Sequence, residues 1–381
     1  MEMLTFAVSW ELWLRTDSAY ALGLVGLVQV IPVILISLPA GHVADQYDRK
    51  RIVMMAEGLL AVCAFGLGWL SYTQGSLVLI YVFLLGIGVA RAFHEPASST
   101  LIPQTVPAEK YSNAAMWNSG IWQVALISGP AIAGLYVGFF KSVTFLYFFD
   151  ALAALTFCVM LIFIKGKPIA LARKADTLDS LREGLQFMGR TRIILAAITL
   201  DMFAVLFGGA VALLPIFATD ILKVGATGLG VLRAAPSVGA VLMALSLTQL
   251  PPMRKAGQTL LVVVTGFGIA TIIFGLSKSF YLSVFMLAVL GCLDNVSVVI
   301  RGTLLLTHTP DEMRGRVSSV NNVFIGISNE LGGFESGLVA GLIGPVAAVV
   351  VGGIGTLIVV LVTGRYFPEL RDLKSLDAPT E

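Results

Sequence analysis

The chain has 381 residues, 57% of them hydrophobic and only 13% charged, whereas an ordinary soluble domain carries about 25% charged residues. With 25 Lys and Arg against 23 Asp and Glu, the net charge of +2 offers no basic surface for a nucleic acid. Soluble enzyme, disordered scaffold and DNA-binding protein are excluded on these grounds, and a polytopic membrane protein remains.

A helix needs about 20 mainly apolar residues to cross roughly 30 Å of hydrocarbon. Taken in chain order, the apolar runs predict spans at 20–42, 52–72, 77–97, 113–138, 143–164, 193–218, 226–250, 258–277, 280–302, 317–342 and 345–366. A shorter apolar piece at 4–14 precedes these eleven. Met1 opens into apolar sequence with no basic segment, so no cleavable signal is expected. Cys63, Cys158 and Cys292 lie inside apolar runs and read as small hydrophobes, not as a disulfide framework.

The one long polar connection is 165–192, with seven basic residues: Lys165, Lys167, Arg173, Lys174, Arg182, Arg190 and Arg192. Within it Leu178, Leu181, Leu185 and Met188 recur at helical spacing, which predicts an amphipathic helix on the membrane surface. Setting this linker on the cytoplasmic side also places Arg49, Lys50, Arg51, Arg254, Lys255, Arg314, Arg316 and the 367–381 tail there. Only Arg15, Lys141, Lys223 and Lys278 fall opposite, a strong positive-inside bias that predicts a cytoplasmic C-terminus.

An internal repeat divides the chain. A shift of 203 aligns Thr100-Leu101 with Thr303-Leu304, Pro107 with Pro310, Glu109 with Glu312 and Asn118 with Asn321. It also aligns Gly129 with Gly332, Gly134 with Gly337 and Gly138 with Gly341, while a shift of 204 pairs Gly26 with Gly230 and Pro32 with Pro236. Both shifts preserve span direction, so the repeats are parallel. The expected fold is all-α: two parallel six-helix bundles, 1–164 and 193–366, joined by the 165–192 linker.

The segment between the second and third helices carries Gly41, Asp45 and the basic run Arg49-Lys50-Arg51. A glycine permits close helix approach, and an acid one turn later can cap or pair at the membrane edge. Here the chain resembles the major facilitator superfamily, whose hallmark is Gly, three residues, Asp and then a basic cluster. Gln46 and Asp48 depart from that pattern, standing where a basic residue and Gly are usual. The resemblance implies a twelve-helix fold with a gating loop in which Asp45 joins a charge network latching the halves. Read without the resemblance, the same basic residues are a topology signal. The fifth helix carries Gly120 and then Gly129-Pro130-Ala131-Ile132-Ala133-Gly134, which resembles the Gly-Pro motif of exporters in this superfamily. Helix kinking by Pro130 and close packing at the glycines account for it equally well. The wording of Pro96 to Ala114 and of Leu213 to Ala218 resembles the branch containing enterobactin exporters and macrolide efflux pumps.

Ionisable residues within spans cost about 2.5–3.5 kcal/mol each at a helix centre, so each is a candidate for function. They are Glu57, Arg91, Glu95, Asp150, Asp201, Arg233, Asp294, Arg301, Glu330 and Glu335. In the resembled fold the first, fourth, seventh and tenth helices line the central path, which would bring Arg91, Asp201, Asp294 and Asn295 to it. Asp201 and Asp294 are the proton-carrier candidates, with an ion pair of Arg91 to Asp294 or to Glu95 as the structural alternative. Glu57, Glu95 and Arg301 read as gate or snorkelling residues, and Asp150, Glu330 and Glu335 receive no role. His42, His94 and His308 have no metal-ligand spacing, and no phosphate-binding loop is present, so neither metal nor cofactor is expected.

The expectation is a secondary transporter in a bacterial cytoplasmic membrane, working as a monomer, with a small amphipathic substrate and protons as partners. Export of a drug or siderophore-like compound leads; import by the same machinery and an intramembrane enzyme are the alternatives. The repeat also sets Met1 opposite Val205, about twelve residues inside the span that begins near Ile193, so the first helix is expected to be incomplete.

Overall fold

The computed structural model describes residues 1–164, 177–249 and 255–373. Lipid offers no partner for a free backbone N–H or C=O, so a spanning chain must satisfy its own peptide groups, and helices do so. The first group is α1 (Glu2–Thr16), α2 (Ala19–Gln46), α3 (Arg49–Thr73), α4 (Leu77–Thr105), α5 (Tyr111–Phe140) and α6 (Thr144–Phe163). Then comes α7 (Thr177–Arg190), within the linker, followed by α8 (Arg192–Phe207), the three-residue α9 (Leu214–Ile216) and α10 (Gly225–Leu247). The chain closes with α11 (Ala256–Leu276), α12 (Phe280–Thr307), α13 (Asp311–Ile343), α14 (Pro345–Tyr366) and the short α15 (Pro368–Arg371). Counting α8 to α9 as one interrupted span and setting the linker helix and α15 aside, the chain is two groups of six helices, as the repeat implies, with the fifteen-residue α1 shorter than a full span.

Hairpin turns such as those after α1, α3 and α5 form what we call the far end; the linker marks the other. Asp17, Gln74 and Lys141 close these far-end turns in the left-handed region at φ 48°, 52° and 57°. Among the described residues, ten helices are long and apolar enough to cross a membrane. The expected span 317–342 is not one of them. It lies in the 33-residue α13, whose Asn321, Asn322, Asn329, Glu330 and Glu335 dilute its hydropathy. It packs lengthwise against α2, between the two groups. The expected span 193–218 is present within Arg192–Ile221, but its helix is interrupted: α8 stops at Phe207, and the chain from Ala210 to Ile221 continues as a 3-10 turn, α9 and a π-helical turn. Gly208 and Gly209 form the break; a Cβ on Gly209 would lie 2.3 Å from the Gly332 carbonyl oxygen, so only glycine fits there.

The repeat sets the packing between the halves. The equivalence pairs α2 with α10 and α5 with α13; in space α2 packs on α13 and α5 on α10, the exchange expected of a two-fold relation. Both seams are closed by glycine. A Cβ on Gly337 would lie 2.4 Å from the Gly23 Cα, and one on Gly230 would lie 2.6 Å from the Pro130 oxygen. Such backbone contact is how small residues bind helices together in lipid, where no hydrophobic effect acts between them. Toward the linker end the glycines face open space: among the described residues nothing outside the helix's own backbone lies within 4 Å of a Cβ placed on Gly120, Gly315 or Gly326, and Met116, Trp117, Ile121 and Trp122 are exposed.

α1 is fifteen residues long and enters the core through Phe6, Leu12 and Trp13. The linker helix differs from expectation in its buried face: Met188 is buried with Gly184 against Arg316 and Val320, while Leu185 is exposed. The Leu178 and Leu181 side chains and residues 165–176 lie outside the described residues. The start of the C-terminal tail is docked, with Leu370 fully buried against α11 and Glu369 accepting from Arg192 at 2.8 Å.

Candidate functional site

The gating-loop candidates lie at the linker end, across the turn from α2 to α3. Asp48 caps α3, its Oδ1 accepting from the Lys50 backbone N–H at 3.0 Å, with Arg51 3.7 Å from its other oxygen. The Lys50 ammonium turns to α6 and donates to the Ile162 and Ile164 carbonyl oxygens at 3.0 and 2.8 Å. Those carbonyls end a helix and have no helical partner, and a cation there also meets the negative end of the helix dipole. Lys50 thus ties the loop to the sixth helix. Gly41 is half-buried; the Asp45 side chain lies outside the described residues.

The Gly-Pro motif is divided among different contacts. Pro130 lies inside α5, Gly129 faces Glu2 of α1, Gly134 meets Gly230, and a Cβ on Gly120 would meet no described atom of another element within 4 Å. Three of the four motif positions therefore belong to the closed part of the molecule.

Midway along α4, Arg91 reaches across to the second half. Its Nη1 donates to the Glu330 carboxylate of α13 at 2.8 Å and to Gln29 Oε1 of α2 at 3.1 Å. Both alternatives weighed for Arg91, pairing with Asp294 or with Glu95, are replaced by this partner. The 204 shift that aligns Pro32 with Pro236 also aligns Gln29 with Arg233 of α10. Arg233 crosses the other seam and donates from Nη2 to Ser9 of α1 at 2.8 Å, with the Glu2 carboxylate as the acid whose charge acts on it. Each seam therefore carries an arginine that reaches the opposite half.

Asp201 and Asp294 come together inside the second half, without the Arg91 and Asn295 that the resemblance would set with them on one path. They line one narrow pocket between α8, α11 and α12, with Val263, Phe267 and Ser297 in its walls. Asp201 pairs with Arg301 at 2.5 Å, and Arg301 also donates to Ser297 at 3.3 Å. Arg301 is only 5% exposed, so the snorkelling role expected for it is replaced by a buried ion pair. Asp294 has no hydrogen-bond partner among the described residues, which leaves two carboxylates to one guanidinium in this pocket. Asn295, next along α12, does not line it; its buried Oδ1 also lacks a partner.

Of the remaining acids, Glu57 of α3 lies 3.1 Å from His94 Nε2 of α4. Asp150 is buried beside Met1, and Glu11 of α1 accepts from Tyr147 at 2.8 Å. Among the described residues no three His, Cys, Asp or Glu side chains gather as a metal would require. Glu330 stood among the in-span acids without a role and here gains one as the partner of Arg91; Gln29 is the site residue that sequence reasoning missed.

Two six-helix groups, exchanged across glycine seams and bridged by Arg91 and Arg233, are the architecture of the major facilitator superfamily. The profile of the transmembrane secretion effector family, a branch of that superfamily, matches residues 3–380, and the chain belongs to it. It is 25% identical over 373 residues to the enterobactin exporter EntS of Shigella dysenteriae serotype 1, covering 98% of this chain and 89% of that one. EntS of Citrobacter koseri is also 25% identical, over 370 residues, with 97% and 88% covered. Among solved structures, a bacterial homologue of the human lysosomal transporter Spinster, inward-facing and occupied, is similar at a TM-score of 0.77 and 14% identity, covering 97% and 94%. The inward-open xylose transporter XylE of E. coli is similar at 0.69 and 13% identity, covering 96% and 92%. The chain is a multi-pass membrane protein that carries a small molecule.

Proposed function

We propose that this transporter exports a small amphipathic compound, drug-like or siderophore-like, from the cytoplasm in exchange for protons. It resides in a bacterial inner membrane with its linker and C-terminus in the cytoplasm. The observation that supports the alternating-access part is the geometry of the seams: glycine contacts close the far end, while Gly120 of α5 and Gly315 and Gly326 of α13 face open space toward the linker end. The charge bias of the loops supports calling the open end cytoplasmic. The names of the EntS relatives support export as the direction and a siderophore-like substrate.

Proton coupling is assigned to the Asp201–Asp294 pocket. Two carboxylates share one guanidinium there, and an uncompensated buried charge is costly. A proton on the pair removes the excess charge, and its release on the other side of the membrane returns it. By the family resemblance, the Asp45 to Arg51 loop latches the linker end when it closes.

Inside-out vesicles from cells stripped of their own efflux pumps test this reading. Acidifying the vesicle interior should drive substrate accumulation by the wild type. Asp294→Asn should retain substrate binding but lose the response to the gradient. Accumulation that ignores the gradient, or a fully gradient-driven Asp201→Asn/Asp294→Asn double variant, would overturn proton coupling through this pocket.

A further inference from the structure

Arg91 is only partly used by the protein. Its Glu330 and Gln29 contacts both leave from Nη1, while Nε and Nη2 make no hydrogen bond among the described residues. These two nitrogens form one edge of the planar fork, the edge that grips a carboxylate or a sulfonate with two parallel hydrogen bonds. The side chain is 32% exposed and that of Glu330 23%, midway along α4 and α13, where Gly326, one turn from Glu330 toward the linker end, faces open space. A buried arginine of the second half, Arg301, offers the contrast: its side chain is 6% exposed and is held by Asp201 and Ser297.

We propose that Arg91 is an anion-binding group on the central path, and that its ligand is a soluble amphipathic anion with a planar carboxylate- or sulfonate-like head. This rests on the transport reading above and names the substrate class. Glu330 is the resident counter-charge. A bound anion takes the open Nε/Nη2 edge and repels the Glu330 carboxylate, so ligand binding weakens an ion pair that joins the two halves. Binding and conformational change are thereby linked at a single guanidinium. Gln29 has no charge to lose, and it keeps Arg91 oriented when Glu330 lets go.

The test is binding to the purified full chain in nanodiscs, with no gradient and no transport. The probes are 1-anilinonaphthalene-8-sulfonate, an anion, and N-phenyl-1-naphthylamine, its uncharged analogue. The wild type should bind the anion about tenfold more tightly than the neutral compound, and Arg91→Gln should abolish that preference. Arg91→Lys, which keeps the charge without the fork, should fall between. Glu330→Gln removes the competitor and should tighten the anion at least threefold, a gain that misfolding cannot imitate. Unchanged anion affinity in Glu330→Gln and Arg91→Gln would overturn the assignment. Anion affinity that falls when phosphatidylglycerol replaces phosphatidylcholine in the disc would give the site to a lipid headgroup instead, against the proposal. A chain that shows this preference yet fails to export sinks only the transport reading; one that exports with no anion preference sinks only this inference.

Discussion

Gly134 of α5 and Gly230 of α10 meet backbone to backbone: a Cβ on Gly134 would lie 2.7 Å from the Gly230 Cα, and one on Gly230 would lie 3.0 Å from the Gly134 Cα. Both residues appeared in the repeat, Gly134 matched to Gly337 and Gly230 to Gly26. Gly337 and Gly26 lie on the opposite seam, where their neighbours are Gly23, Glu330 and Phe334. The two seams are thus built from repeat-equivalent glycines, and the far-end closure depends on both.

A larger side chain at this contact must push the helices apart. Gly134→Leu should insert into the membrane at normal levels and lose at least about tenfold in transport rate, since backbone contact at such sites holds helices together. Gly120→Ala, with open space around it, should transport within about twofold of wild type. Transport assays on matched expression levels check both. Equal rates for Gly134→Leu and wild type would show that the seam need not close.

The buried pair of Asp201 and Arg301 should behave asymmetrically on mutation. Arg301→Met leaves a carboxylate beside Asp294 with no cation, and should cost on the order of 3–5 kcal/mol, as removal of one partner from a buried pair does. Arg301→Met combined with Asp201→Asn should recover most of that loss. Thermal unfolding in detergent reads the difference. A double variant less stable than Arg301→Met alone would mean that the two residues do not act as a pair.

The linker-end loop should be dispensable for insertion and needed for transport. Asp45→Asn and Arg49→Ala are expected to reach the membrane normally and to transport at a small fraction of the wild-type rate. Lys50→Met should lower thermal stability modestly, because the Ile162 and Ile164 carbonyls lose their donor. Wild-type transport by the Asp45 and Arg49 variants would leave the basic run as a topology signal.

Much of this fold was legible in the sequence because membrane insertion demands long apolar helices, and because a repeat leaves glycines and prolines in register. Pairing of side chains was less legible. Arg91 lies at the right height for Asp294 by the 203 shift, yet its partner is Glu330, because the halves pack α2 on α13 and so bring α13 to α4's side chain. Arg301 lies two turns beyond Asp294 on α12 and looked close to the membrane edge, but α12 extends to Thr307 and keeps it inside. The α8 break was equally hidden, since Gly208-Gly209 reads as one more small-residue pair until Gly332 is seen against it. Spacing along one helix is visible in a sequence; which helix lies opposite is not.

The central claim is that the linker end and the far-end seam open in alternation, so that the linker end closes when the far end opens. Met116, near the linker end of α5, and Thr248, just past α10, are both exposed and suit spin labels in a variant lacking Cys63, Cys158 and Cys292. Electron–electron resonance distances between labels at these positions test it most directly. We predict two distances, with the longer one dominant in unliganded protein and the ratio shifting on acidification in the wild type but not in Asp294→Asn. A single distance that neither pH nor ligand changes would contradict the account.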